Sequence, residues 1–193
     1  ISSGWETEVY AFDLDGAPMV LRLYQGRHVE DRARNEYRMM LHLGRMGYPV
    51  PRVDQFEANP SFFGGPALLM ERVEGRVLDR LLRERPPEEP VEQLCRLMVQ
   101  LHSMDWQSFV GPDAVWPDLA TARGTFDHAW MTNLLQSFDL LEPVKPLMDW
   151  LEEKGQSVTF RLSPVHSDLH FENVLIRPDS SPAVIDWGAT ALA

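Results

Sequence analysis

The chain of 193 residues has little cysteine and no long apolar run. Its single cysteine, Cys95, excludes an intramolecular disulfide and a zinc site built from cysteine ligands. No uninterrupted apolar stretch reaches the roughly 18 residues that a membrane-spanning helix needs, so we expect no membrane segment. No secretory signal is visible in the first residues, and a cytoplasmic location is therefore the default expectation.

Positive charge is also scarce, and it is unevenly distributed between the two basic residue types. Acidic residues outnumber basic ones 29 to 18, and the formal net charge of −11 argues against a nucleic-acid-binding surface. Only two basic residues are lysines, Lys145 and Lys154, so the first half of the chain has none. The hydrophobic fraction of 44% and the charged fraction of 24% are typical of a globular protein.

Two β-rich runs near the end of the chain, Val174–Arg177 and Ala183–Ile185, predict a hairpin joined by turn residues. Pairing the two arms about that turn places Asn173 opposite Asp186. Asp168 lies five residues before Asn173, on a polar loop. Amide and carboxylate oxygens are ligands that suit Mg²⁺, and Asp168 adds a free carboxylate nearby. This grouping of residues indicates phosphoryl transfer.

At these residues the sequence resembles a known family of enzymes. The spacing His166-x-Asp168-x4-Asn173, followed by Asp-Trp-Gly at 186–188, is that of the kinase catalytic loop and its metal-binding Asp-Phe-Gly. The His-Ser-Asp form, and tryptophan in place of phenylalanine, are similar to the aminoglycoside phosphotransferase and choline kinase family of small-molecule kinases. The resemblance implies an α+β, two-lobed protein-kinase-like fold with a β-rich N-lobe and a mainly helical C-lobe.

The order of the predicted elements agrees with such a fold. Hydrophobic patterns predict a strand-rich lobe over residues 1–71, a hinge over 72–76 and a helical lobe over 77–193. A helix predicted over 29–47 in the first lobe begins with acidic residues and ends at Gly-Tyr-Pro. The resemblance implies that the second lobe continues beyond the end of this sequence. The helices predicted in the second lobe are 77–85, 91–104, 126–141 and 143–154.

The resemblance gives roles to two charged residues of the first lobe. Met19-Val-Leu-Arg22 stands where kinases have Val-Ala-Ile-Lys, so Arg22 takes the place of the phosphate-pairing lysine. Arg22 could equally be a solvent-facing arginine on a strand. Glu36 falls within the apolar stripe of the predicted helix, where a carboxylate needs a partner. That partner is Arg22 in a kinase-like lobe, or Arg32 one helical turn earlier.

The resemblance also implies a nucleotide site. In the family, backbone groups of the segment after the last strand of the first lobe bind the base, which here places Met70, Glu71 and Val73 beside adenine. Ile1-Ser-Ser-Gly4 occupies the position of the phosphate-covering loop, although its single glycine also suits a frayed terminus. The implied cofactor is Mg²⁺, with ATP or GTP as the co-substrate.

We therefore expect a Mg²⁺-dependent kinase that moves the γ-phosphoryl group of ATP or GTP to a hydroxyl of a small molecule, such as an aminoglycoside or an amino alcohol. Asp168 would accept the hydroxyl proton, and Asn173 and Asp186 would hold Mg²⁺. Arg22, fixed by Glu36, would contact the phosphates. The expected partners are thus a nucleotide and a small hydroxyl-bearing substrate, rather than a nucleic acid or a membrane.

Two other functions remain open on the sequence alone. A non-catalytic, kinase-shaped binding module is favoured by Arg22 and by the low glycine content of the N-terminus. A metal-dependent hydrolase is favoured by the alternation of His166, Asp168 and His170, which would share one face of a strand. In the kinase interpretation His166 braces the catalytic loop. The sequence contains no Gly-x4-Gly-Lys motif, which argues against a P-loop enzyme.

Overall fold

The structure is a computed structural model in which most of the chain is described. The predicted helix at 126–141 lies outside the described residues except for its last residue, and so does Gly4 of the predicted phosphate-covering loop. Among the described helices, none combines the length and apolar character needed to cross a bilayer. The described residues are 2–3, 7–26, 29–84, 86–123, 141–155 and 161–193.

Five antiparallel strands form the sheet of the first lobe. They are β1 (Ser2–Ser3), β2 (Thr7–Leu14), β3 (Ala17–Tyr24), β4 (Val53–Glu57) and β5 (Ala67–Glu71). Their order across the sheet is β1-β2-β3-β5-β4. Asp15 and Gly16 join β2 to β3 with φ angles of 51° and 82°. Two residues with positive φ make a turn whose twist matches that of the strands.

A long helix, α1 (Val29–Arg45), packs against this sheet. Gly47 ends the helix with φ of 78°, and the Tyr48 N–H donates to the Leu43 carbonyl at 2.9 Å. The predicted helix and its buried stripe are confirmed. The buried residues of α1 are Ala33, Glu36, Met39, Met40 and Leu43.

Helices and short strands make up the rest of the described chain. The helices are α2 (Pro60–Phe63), which lies between β4 and β5, then α3 (Leu78–Glu84), α4 (Glu88–His102), α5 (Leu119–Arg123) and α6 (Leu141–Gly155). Three 3₁₀ helices lie at Trp106–Phe109, Phe171–Asn173 and Trp187–Ala189. The short strands are β6 (Arg76–Val77), β7 (Pro164–Val165), β8 (Val174–Ile176), β9 (Pro182–Val184) and β10 (Ala191–Leu192).

Strands β8 and β9 form the predicted hairpin, and β6 joins it in a sheet of order β6-β8-β9. Pro182 pairs with Ile176, so the second arm starts one residue earlier than predicted. β9 is an edge strand, where a residue without an N–H is tolerated. The prediction that Asn173 lies opposite Asp186 is wrong, because the Ile185 N–H donates to the Asn173 carbonyl at 3.0 Å. Asp186 therefore comes one residue after this bond.

Trp187 anchors the end of the hairpin in the core. Its side chain is fully buried, and its Nε1–H donates to the Val184 carbonyl at 2.9 Å. Its ring lies edge-on to Tyr48, with centroids 5.6 Å apart, and 4.4 Å from the His166 ring. A buried indole needs an acceptor for its N–H, and the Val184 carbonyl supplies it. The residue before it, Asp186, is thus fixed by core packing.

Candidate active site

A cleft of about 380 Å³ lies between the five-stranded sheet and the β8–β9 hairpin. The sheet contributes charged and apolar side chains from β3 and β5, and the hairpin contributes polar side chains from its ends. Asp168 is joined to the cleft by hydrogen bonds from Asn173. The predicted site residues that line the cleft are Arg22, Glu36, Met70, Glu71, Val73, Asn173 and Asp186.

Arg22 is the central cation of this cleft, with a side chain only 13% exposed. Its Nη1 donates to Glu36 Oε1 at 2.8 Å, and its Nη2 donates to Asp186 Oδ1 at 2.6 Å. Burial opposes the charge on the guanidinium, but Glu36 and the other anions around it raise the pKa of Arg22 above its ordinary value. The predicted pairing with Glu36 is confirmed, and the solvent-facing alternative for Arg22 is wrong. The bond to Asp186 was not predicted.

Tyr24, which the sequence did not single out, holds the second oxygen of Glu36. Its hydroxyl donates to Glu36 Oε2 at 2.7 Å, and the Glu36 side chain is 1% exposed. Burial raises the pKa of Glu36, while Arg22, the Tyr24 hydroxyl and, more weakly, Arg32 oppose that rise. Both oxygens of the buried carboxylate have a donor, which fixes its position. The strand alternation that puts Tyr24 on the same face as Arg22 was the available signal.

The loop that carries Asp168 turns sharply at Ser167, which has φ of 65°. On one side of this residue His166 is buried, and its Nε2–H donates to the Ile185 carbonyl at 2.9 Å. Its Nδ1 accepts the Asp168 N–H at 3.3 Å. Burial lowers the pKa of His166, with the Ile185 carbonyl opposing the shift. His166 is thus a neutral brace between loop and hairpin, whereas the Asp168 side chain is 59% exposed.

The orientation of the Asn173 amide is fixed by the same loop. Its Nδ2 donates to the Asp168 carbonyl at 2.9 Å and lies 3.3 Å from Asp168 Oδ2. His170 is part of this cluster, since its Nε2 lies 3.6 Å from Asp168 Oδ1. Because the amide nitrogen of Asn173 is held by Asp168, the amide oxygen is the end that can serve as a ligand.

Asp186 adopts a backbone conformation that is uncommon for its residue type. Its φ and ψ are 66° and 60°, in the left-handed region, and its side chain is 44% exposed. Aspartate is among the few non-glycine residues that tolerate this region, and such positions cluster at functional sites. Together Asn173 and Asp186 offer amide and carboxylate oxygens, the donor set that fits Mg²⁺.

The hydrolase alternative finds no support in this geometry. Both ring nitrogens of His166 are engaged by the backbone, so neither is available to a metal. Among the residues that the structure describes, no three histidine, cysteine, aspartate or glutamate side chains converge as a zinc site would require.

The end of β5 borders the cleft, and the backbone N–H groups of its last residues are bonded within the sheet. The Arg72 N–H donates to the Pro18 carbonyl on β3 at 3.0 Å, and the Glu71 N–H donates to the carbonyl of Arg52, the residue before β4, at 2.8 Å. Successive residues of a strand direct their backbone groups to opposite sides. The backbone of Glu71 therefore faces away from β3. Sequence patterns indicate which side chains are buried, but they do not indicate the direction of backbone groups. A role for the backbone at the end of β5 could therefore be predicted only from the family resemblance.

A larger cavity, of about 790 Å³, lies at the start of α1. Gln25, Glu30, Asp31 and Gly65 are among the described residues that line it, and none of its described lining residues belongs to the cleft. The smaller cleft is the candidate active site, because the paired charged groups converge there.

Comparisons with solved structures identify the fold. A thermostable mutant of aminoglycoside phosphotransferase APH(4)-Ia, in a ternary complex with AMP-PNP and hygromycin B, matches with a TM-score of 0.75 at 19% identity. The match covers 100% of this chain and 66% of that one. Aminoglycoside-3'-phosphotransferase of type VIII matches with a TM-score of 0.63 at 20% identity, over 100% of this chain and 71% of that one. The predicted two-lobed, kinase-like α+β fold is confirmed.

Sequence comparisons identify the family. Acyl-CoA dehydrogenase family member 11 from Gallus gallus is 26% identical over 203 residues, which cover 96% of this chain and 25% of that protein. The chain therefore spans about a quarter of the length of this curated relative, and the relative's name refers to that whole, longer protein. The family model described as the phosphotransferase enzyme family matches residues 1–193. Because that match extends over the whole chain, the chain belongs to the phosphotransferase enzyme family.

Proposed function

We propose that this chain transfers the γ-phosphoryl group of ATP or GTP to a hydroxyl of a small molecule, such as an aminoglycoside or an amino alcohol. The observation that carries the proposal is that two hydrogen-bonded groups of charged and polar side chains meet at one cleft. Glu36 holds Arg22, Arg22 contacts Asp186 across the cleft, and Asn173 links the same cleft to Asp168. These are the fixed cation, the metal ligands and the free carboxylate that phosphoryl transfer requires.

Asp168 is the catalytic residue of the proposed reaction. Its exposed carboxylate would orient the acceptor hydroxyl and take its proton as the hydroxyl oxygen bonds to the γ-phosphorus. The bond between that phosphorus and the β-phosphate oxygen breaks, and the nucleoside diphosphate leaves. Positioning by a fixed carboxylate supplies most of the benefit, since this reaction needs little covalent chemistry from the protein. The loop around Ser167 fixes Asp168 by placing His166 in the core.

Arg22 would bind the α- and β-phosphates of the nucleotide. Its guanidinium is held in place by Glu36, and its Nε is buried with no hydrogen-bond partner among the described residues. A buried donor without an acceptor is costly, and a phosphate oxygen is an acceptor of the right charge. The absence of lysine from the first half of the chain leaves this role to arginine.

Asn173 and Asp186 are the residues that would hold Mg²⁺. Their amide and carboxylate oxygens fit a hard cation, and the amide of Asn173 is already oriented by Asp168. Bound Mg²⁺ would neutralise charge on the phosphate oxygens. Met70, Glu71 and Val73 would lie beside the base. The similar structure that contains AMP-PNP and hygromycin B supports a nucleotide and a small-molecule acceptor for this proposal.

The test is thermal unfolding with ATP or GTP, each with and without Mg²⁺. A ligand that binds only the folded state raises the melting temperature, and at 100 times its dissociation constant it adds about 2.7 kcal/mol of stability. We expect a Mg²⁺-dependent rise in the wild type and none in Asp186→Ala, each measured against its own ligand-free melting temperature. Asp179→Ala, in the exposed turn of the same hairpin, is the matched control and should keep the rise. No rise with either nucleotide would contradict the proposal.

Formation of ADP or GDP in an acceptor screen separates the enzyme from a non-catalytic binding module. Turnover that disappears in Asp168→Asn, while nucleotide binding persists, would exclude the binding module. Nucleotide binding by the wild type without turnover on any acceptor would favour it.

A further inference from the structure

One ion pair connects the end of the first-lobe sheet to the hairpin of the second lobe. Arg177 directly follows β8, and its Nη1 donates to Oε1 of Glu71, the last residue of β5. Both side chains are only 25% exposed. The two residues are 106 positions apart in the chain, so their contact depends on how the lobes are placed.

Glu71 is itself fixed on the sheet. Its Oε2 accepts the Arg52 N–H at 3.0 Å, and its own N–H donates to the Arg52 carbonyl at 2.8 Å. Burial opposes its charge, but the hydrogen bonds from Arg177 and the Arg52 backbone lower the pKa of Glu71, so the carboxylate stays ionised. Arg177 therefore binds a carboxylate whose position is already fixed on the sheet.

The linker that follows Glu71 returns to the same hairpin within a few residues. Arg76 pairs with Ile176 as β6 joins β8. Gly75 lies so close to that strand that an added Cβ would be 2.6 Å from the Ile176 carbonyl oxygen. The hairpin thus holds the linker at both ends, through the Arg177 side chain at one end and the β8 backbone at the other.

We propose that Glu71 and Arg177 are positioning residues that set the spacing between the two lobes for nucleotide binding. The proposal rests on the proposed function, in which the base lies against the end of β5 and the phosphates lie near Asn173 and Asp186. A nucleotide must contact both places at once. An ion pair that fixes their separation before binding removes part of the ordering cost. Arg177 is not among the described residues that line the cleft, so it would act through Glu71.

Other ion pairs on the molecule provide a contrast. Arg76 on β6 pairs with Glu84 on α3, and Arg83 pairs with Asp79 one turn apart within α3, so both pairs lie inside the second lobe. Their loss would change local packing without changing the separation of β5 from the hairpin. Arg76 lies on the strand beside Arg177 and is therefore the best control position.

The test is a double-mutant cycle on nucleotide affinity with Glu71→Gln, Arg177→Gln and the double variant. Calorimetry with Mg²⁺ and ATP should show a dissociation constant raised roughly three- to tenfold in each single variant, and no further rise in the double variant. The turnover number at saturating ATP should change much less than KM. Arg76→Gln should leave the dissociation constant within about twofold of the wild type, since exposed pairs contribute little.

Hydrogen exchange of the ligand-free variants provides a readout that does not depend on nucleotide. We expect faster exchange at residues 72–75 in Glu71→Gln and in Arg177→Gln, and unchanged exchange there in Arg76→Gln. Wild-type exchange rates in both interlobe variants, or additive losses of affinity in the double variant, would overturn the inference. A lowered melting temperature with unchanged affinity would also overturn it, by showing a merely structural contact. Failure of the wild type to bind any nucleotide would instead contradict the proposed function.

Discussion

The two sides of the cleft differ in how far they are removed from water. On the sheet side, Glu36 is 1% exposed and Arg22 13% exposed. On the hairpin side, Asp168 is 59% exposed and Asp186 44% exposed. The Glu36 carboxylate and the two Nη groups of Arg22 have hydrogen-bond partners within the protein, whereas the carboxylates of Asp168 and Asp186 are partly open to solvent. The sheet side is thus preformed, and the hairpin side presents the groups that ligands would contact.

The two sides meet in the bond between Arg22 Nη2 and Asp186 Oδ1, at 2.6 Å. A ligand that binds either Arg22 or Asp186 must weaken this bond. Binding on one side of the cleft therefore changes the interactions of the charged group on the other side. The difference between the sides predicts that substitutions on the exposed side change activity with little effect on stability. Substitutions on the buried side should change stability first.

Asp168→Asn should produce the largest effect on activity. Asparagine keeps the shape of the side chain but cannot accept the acceptor proton, and loss of such a group costs about 10²- to 10⁴-fold in rate. The exposed position predicts a melting temperature close to that of the wild type. The rate of nucleoside diphosphate formation and thermal unfolding measure the two quantities. Full activity in this variant would remove Asp168 from the mechanism.

Glu36→Ala should produce the largest effect on stability. It leaves the buried guanidinium of Arg22 without its main partner and the Tyr24 hydroxyl without its acceptor. Breaking a buried ion pair in this way costs about 3–5 kcal/mol. Urea unfolding measures the change, and Glu30→Ala, at an exposed position on the same helix, is the control. A loss below about 1 kcal/mol would show that the carboxylate is not held as the structure describes.

Tyr24→Phe should have an intermediate effect on the buried side. It removes only the hydroxyl that donates to Glu36 Oε2, and a buried acceptor left without its donor costs about 1–3 kcal/mol. Tyr10→Phe is a matched control, because the Tyr10 hydroxyl donates to Glu8 on a partly buried stretch of β2. Urea unfolding of both variants should therefore separate the fully buried bond from the partly buried one. Equal stability of the two variants would remove the special role of Tyr24.

The sequence predicted those parts of the fold and site that depend on local spacing. The buried stripe of α1 follows from helical periodicity, and the grouping of Asp168, Asn173 and Asp186 at one end of the hairpin follows from the short loop and hairpin that carry them. The pairing of Arg22 with Glu36 followed because a buried carboxylate needs a cation.

The features that the sequence missed depend on tertiary structure. The left-handed conformations of Ser167 and Asp186 are imposed by the core around His166 and Trp187, and neither residue type signals them. The error in the hairpin register came from assigning Ser181 and Pro182 to the turn, although the Arg177 N–H donates to the Ser181 carbonyl at 2.9 Å and an edge strand accepts Pro182. Contacts such as Glu71 with Arg177 join distant positions whose side chains are individually unremarkable.

The pH dependence of stability that His166 contributes is the smallest expected effect. It tests how far the buried region on the sheet side of the cleft extends toward the loop that carries Asp168. Burial lowers the pKa of His166 below its ordinary value of 6.5, whereas the unfolded chain keeps that value. As the pH falls below 6.5, the unfolded state therefore takes up a proton that the folded state does not, and stability decreases until the pH passes the folded pKa. The slope from one such group cannot exceed about 1.4 kcal/mol per pH unit. Urea unfolding between about pH 7.5 and 5.5 should show this decrease in the wild type and in the exposed control His102→Gln, and a flatter profile in His166→Gln. The same slope in all three proteins would show that His166 takes up a proton in the folded state as readily as in the unfolded state. The burial seen on the sheet side of the cleft would then not extend to the loop that carries Asp168.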